Sequence, residues 1–150
     1  MIAFAGLPAM VFEKLPSDQM EVFMSANKPV AGKIIVECIT PILRVSKLAA
    51  SIRFYVDVLG FKVNWGGESE SSFASVSRDG QSIMLSQGEQ GHPGTWLWIG
   101  VDDIEPLFAD LTAKPVKILE KPTNYPWAYE MKIEDPDGHV LRFGSEPKAD

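Results

Sequence analysis

The sequence predicts an α+β fold in which two βαβββ modules pair, preceded by an N-terminal extension. Three observations carry this reading. Segments alternating between apolar and polar residues, as half-buried strands do, are separated by stretches with helical spacing. The order strand, helix, strand, strand, strand occurs twice. The interval from Val45 to the Asp79-Gly80 turn is about 35 residues and is nearly matched from Val101 to Asp137-Gly138, which marks a duplicated unit of about 50 residues. A unit of that size has too little core to stand alone, so each should pack on the other.

Residues 1–31 form an arm with Met, Phe and Pro but no sustained period, and residues 32–150 form the domain, with modules at about 37–88 and 94–146. In the first module "KIIVECITPILRV" is a β-branched run whose Pro41 suits an edge strand or a bulge. Ser46 is a candidate N-cap for a helix with Leu48, Ile52, Tyr55 and Leu59 on one face and Gly60 as its stop. "FKVNW", "SFASVS" and "SIMLSQ" are strands, the last two joined by "RDGQ". In the second module "TWLWIGV" is a strand, and Asp102 or Asp103 caps a helix with the apolar stripe Ile104, Leu107, Phe108 and Leu111. Pro106 falls in the first turn, where a missing N–H does no harm. "VKIL", "AYEMKIE" and "HVLRFG" complete the module, with "DPDG" turning the last pair. By the period of two, Trp96 and Trp98 share a strand face, as do Val140, Arg142 and Gly144.

The formal net charge of −6 disfavours a nucleic-acid partner, which needs a basic surface against phosphates. Cys38 is the only cysteine, so an intramolecular disulfide and a Cys-rich metal site are both excluded. With no local base to activate it, Cys38 reads as a buried small hydrophobe. No apolar run approaches the ~20 residues of a membrane helix. The apolar start lacks the Lys or Arg of a secretory signal. The expected setting is the cytoplasm, with no membrane partner.

The segments "ILRVSKLAASIRFYVDVLGFKV", "DGQSIMLSQ", "WIGVDDIEPLFADL" and "YEMKIEDPDGHVLRFG" resemble the vicinal oxygen chelate superfamily, over a stretch from about Cys38 to Glu146. The resemblance implies the glyoxalase/bleomycin-resistance fold, with curled mixed sheets around a cavity, and a homodimer as in many members. In the metal-dependent members, four inward positions on the first and last strands of each module hold a divalent ion. Here the resemblance puts Thr40, Met84, Trp96 and Arg142 at those positions. Threonine is a weak neutral donor and a thioether suits soft metals. Indole only donates, and guanidinium repels a cation. The two histidines offer no substitute. His139 lies on the opposite strand face to Arg142, His92 sits in the loop "GHPG", and both read as solvated or locally hydrogen-bonded. Glu130 and Glu134 lack partners for a metal site. No metal, no cofactor and no catalytic residue are expected.

The metal-free bleomycin-resistance branch works by sequestration, with aromatic rings stacked on the ligand. The segment "NYPWAYE" is similar to a motif of that branch, with Trp127 and Glu130 matching and Ala128 and Tyr129 departing from it. The candidate ligand-binding residues are therefore Thr40, Met84, Trp96, Trp98, Trp127, Tyr129, Glu130 and Arg142. Arg142 has two readings: free, it would attract a carboxylate or phosphate; paired with Glu130, it is a cross-strand ion pair. The functional expectation is a metal-free protein that sequesters an aromatic or amphipathic small molecule. The alternatives are a metal-dependent lyase, isomerase or dioxygenase of the same superfamily, and a non-catalytic assembly domain.

Overall fold

The computed structural model describes residues 36–149. The chain divides into two compact units, Met1–Cys38 and Ile39–Asp150, and both modules lie in the second. The predicted arm, residues 1–31, falls outside the described residues.

The first module runs β1 (Ile42–Arg44), α1 (Leu48–Arg53) continued by a π-helical turn (Phe54–Val58), β2 (Lys62–Gly66), β3 (Phe73–Arg78) and β4 (Gln81–Ser86). The second runs β5 (Trp96–Gly100), α2 (Ile104–Thr112), β6 (Lys117–Asn124), β7 (Tyr129–Glu134) and β8 (Val140–Ser145). Each module forms one four-stranded sheet, ordered β1-β4-β3-β2 and β5-β8-β7-β6. In both, the first strand is parallel to the last and the other pairings are antiparallel. The predicted duplication is thus present in topology as well as in order.

Local departures have local causes. β1 is only three residues long, at the sheet edge, and Pro41 contributes just its carbonyl, which accepts from Met84 N–H at 2.9 Å. Val36 and Ile39 stand exposed before it, outside any strand. Cys38 is exposed rather than buried. Ser46 is not the cap of α1. Lys47 takes that place with no side-chain cap, and the Ser46 N–H donates to Asp137 Oδ1 at 2.6 Å. Past Arg53 the helix widens, with Leu59 N–H donating to the Phe54 carbonyl at 3.2 Å. The wide turn keeps both Tyr55 and Leu59 inward before Gly60, at φ +71°, ends the helix. In α2 the cap is Asp103, whose Oδ1 accepts from Glu105 N–H at 3.0 Å.

Each helix covers one face of its own sheet. Leu43, Tyr55, Val76 and Leu85 of the first module join Ile104, Leu111, Met131, Ile133 and Leu141 of the second in a single apolar core. The opposite faces of the sheets carry Trp65, Trp96 and Trp98 in exposed positions. The modules are also joined by polar groups. Asp135, in the β7–β8 turn, accepts from the Tyr55 hydroxyl at 3.1 Å, and Asp137 accepts from the Ser51 hydroxyl at 2.7 Å. His139 is fully buried, not solvated. Its Nδ1 accepts from Thr95 N–H at 3.1 Å, so Nε2 carries the proton and donates to the Arg44 carbonyl at 2.7 Å. Burial first, and then the Asp135 charge, push the Tyr55 phenol well above its ordinary value.

Candidate functional site: the open face of the second sheet

Strand alternation sorts the second sheet into two faces. Leu97, Ile99, Met131, Ile133, Leu141 and Phe143 point to the core. The open face therefore takes Trp96 and Trp98 from β5, Arg142 and Gly144 from β8, Glu130 and Lys132 from β7, and Glu120 from β6. Trp96 and Trp98 are 61% and 54% exposed, far more than core tryptophans would be.

The cross-strand register decides which residues meet. Trp98, not Trp96, lies opposite Arg142; Trp96 lies opposite Val140. In the first sheet the residue opposite Met84 is likewise Ile42, while Thr40 precedes β1. Arg142 carries its guanidinium over the Trp98 ring, 5.0 Å from the centroid. The same guanidinium grips Glu130 in two parallel bonds, Nε to Oε2 at 2.8 Å and NH2 to Oε1 at 2.7 Å. Glu130 is 1% exposed, so the paired reading of Arg142 describes the molecule. A ligand anion would have to displace a buried carboxylate.

The neighbouring charges are matched too. Lys132 pairs with Glu120, which also accepts from the Tyr125 hydroxyl at 2.6 Å; these two bonds, the lysine's first, hold the Glu120 carboxyl below its usual range. Lys117 pairs with Glu134. Tyr125 stacks on Trp127 with ring centroids 5.0 Å apart, and Trp127 is 63% exposed at the β6–β7 end. Tyr129 does not belong to this face. It is buried on the core side, its hydroxyl donating to Glu105 of α2 at 2.6 Å. Of the eight residues singled out from the sequence, Trp96, Trp98, Glu130 and Arg142 share the open face. Trp127 reaches toward it through Tyr125 and Glu120. Thr40 and Met84 belong with the other sheet.

Gly144 was missed by sequence reasoning. A Cβ there would stand 2.9 Å from Trp98 Cζ3 and closer still to Cζ2 and Cη2. The signal was a glycine inside a strand at a position that needs no positive φ.

The fold's divalent-ion positions do not fit a metal here. Thr40 and Met84 in one module, and Trp96 and Arg142 in the other, supply a neutral hydroxyl, a thioether, an indole and an engaged guanidinium. Among the described residues no three His, Cys, Asp or Glu side chains gather as metal ligands. A cleft of about 770 Å³ also opens at the module junction, between Phe61, Phe143 and Leu107, rimmed by Asp79, Asp102, Asp103 and Asp110. Its rim acids are engaged: Asp79 with Arg78, Asp110 with Lys114, Asp103 as the helix cap, and Asp102 as acceptor of the Asp103 N–H.

The sequence profile of the Glyoxalase/Bleomycin resistance protein/Dioxygenase superfamily matches residues 35–143. The chain belongs to that superfamily. Among solved structures it is similar to TnmS3, an antibiotic binding protein from Streptomyces sp. CB03234, at 23% identity over 78% of this chain and 100% of that one, with a TM-score of 0.67. TioX from Micromonospora sp. ML1 has the same TM-score of 0.67 at 20% identity, covering 74% of this chain and 99% of its own. A glyoxalase/bleomycin resistance protein from Streptomyces sp. CB03234 shares 25% identity over 70% of this chain and 96% of its own, with a TM-score of 0.60. No curated protein matches. The superfamily fold accounts for the two open mixed sheets, and the side chains on them set this member's chemistry.

Proposed function

We propose that this superfamily member is a metal-free binding protein that sequesters an aromatic or amphipathic small molecule against the open face of its second sheet. The observation that carries the reading is Trp98. It is a half-exposed indole on the open face of the second sheet, flanked by an ion-paired arginine. Stacking on indole and displacement of water from it supply affinity without any bond being made or broken. The likeness to an antibiotic binding protein supports the same class of role. The exposed tryptophans on both sheets support a homodimer in which a second copy closes each face.

The test is titration of purified protein with planar aromatic compounds, read by tryptophan fluorescence, with metal analysis of the same sample and sedimentation to give the subunit count. Saturable quenching by an aromatic compound, with no stoichiometric metal and with a mass of two chains, is the expected result. Stoichiometric zinc, nickel, manganese or iron bound with high affinity would move the chain to the metal-dependent enzymes of the superfamily.

A further inference from the structure

Gly144 sits mid-strand in β8 with no positive φ to require it. Glycine weakens a strand interior, so its presence calls for a packing reason. The reason is visible: the six-membered edge of Trp98 occupies the space where a Cβ would stand. The indole is therefore laid across the sheet, held between the backbone of β8 and the Arg142 guanidinium at 5.0 Å from its centroid. Arg142 is itself held, by both oxygens of Glu130. Glu130 is buried among the strands, so the order of restraint runs from a fixed carboxylate to the guanidinium and from there to the ring.

We infer that Gly144, Arg142 and Glu130 are positioning residues that hold Trp98 as a pre-set stacking platform, and that its ligand is an uncharged, flat aromatic system. The inference rests on the binding role proposed above and specifies its site and ligand class. A ring already fixed loses little rotamer freedom on binding, an advantage of roughly three- to tenfold in Kd. The ligand is uncharged because the ionic groups around the platform are spoken for: Arg142 with Glu130, Lys132 with Glu120, Lys117 with Glu134. An anion would have to compete with buried Glu130. A cation over the indole would meet the Arg142 charge already there.

The experiment uses the full chain and three tricyclic probes: phenazine (uncharged), 10-methylacridinium (cationic) and 9-anthracenecarboxylate (anionic). Phenazine should bind most tightly, by about tenfold over either ion. Gly144→Ala and Glu130→Gln should each weaken phenazine binding three- to tenfold, whereas Asp79→Asn, in the exposed turn of the first module, should change it less than twofold. A readout independent of any ligand accompanies these. The near-UV circular dichroism band of Trp98, isolated by subtracting the Trp98→Phe spectrum, should lose most of its intensity in both positioning variants while each still melts cooperatively. An unchanged Trp98 band in a folded Gly144→Ala or Glu130→Gln protein overturns the positioning role, whatever binds. Tighter binding of either ionic probe overturns the ligand class. If the band collapses as expected but no probe quenches the wild-type chain, the platform stands and the binding role falls.

Discussion

The two modules share a topology but use equivalent places differently. Aligned by strand register, Ile42, Met84, Phe73, Ser75 and Ser86 of the first sheet correspond to Trp98, Arg142, Glu130, Lys132 and Gly144 of the second. The first face is uncharged at these positions, with Trp65 stacked on Phe73 at 5.7 Å nearby. The second has an indole framed by ion pairs. The hairpin turns diverge as well. Asp79-Gly80 stands in solvent, its carboxylate beside Arg78 at 3.3 Å. Asp135 to His139 turns back into the first module and binds Tyr55, Ser46, Ser51 and Arg44. Duplication conserved the scaffold. One copy supplies the aromatic platform and the polar joint, and the other supplies what the joint grips.

The contrast between the turns gives the largest expected effect. Asp135→Ala leaves the buried Tyr55 hydroxyl and the His139 and Asp137 N–H groups without their acceptor, for a loss of about 3 kcal/mol in a denaturant melt. Asp79→Asn, at the equivalent exposed turn, should leave the melt unchanged. An equal response in both turns would mean that the second is no joint.

The contrast between the faces comes next. Arg142→Met copies the residue of the first sheet and strands Glu130 in a buried site, at a cost of about 2 kcal/mol. Met84→Leu in the first sheet should cost under about 1 kcal/mol. A double variant, Arg142→Met with Glu130→Leu, should recover most of the loss, because the burial of an unpaired charge is then removed.

A smaller effect is pH-dependent. The folded state raises the Tyr55 pKa, through burial first and then the Asp135 charge. The phenol proton is thus held more tightly in the folded chain than in the unfolded one. Its contribution is fully present below the unfolded value near ~10 and is lost as pH rises beyond that toward the raised folded value. The melting midpoint should fall above pH ~10, and Tyr55→Phe should flatten that fall while costing about 1 kcal/mol at neutral pH. A fall of the same slope in Tyr55→Phe would assign it to other groups.

Periodicity and turn chemistry were enough for much of the fold. Alternation at Trp96 and Trp98 and the spacing of Ile104 to Leu111 are local signals, set by the pleat of a strand and the pitch of a helix. So are the turns at Asp79-Gly80 and Asp137-Gly138, and their recurrence disclosed the two modules. The same rules placed Arg142 on the face opposite His139. What they leave open is how far one strand slides against another, and which of several hydrogen-bond partners a side chain takes across a long sequence separation. That is why Trp98 rather than Trp96 meets Arg142, and why Ser46 yields its N–H to Asp137 from the other module. It is also why His139 is buried at a joint and Gly144 makes room for a ring. The chain alone determined the alternation of faces along each strand. Only the packed tertiary structure decided the neighbours on each face, because register and burial are set by the whole assembly of strands competing for one core.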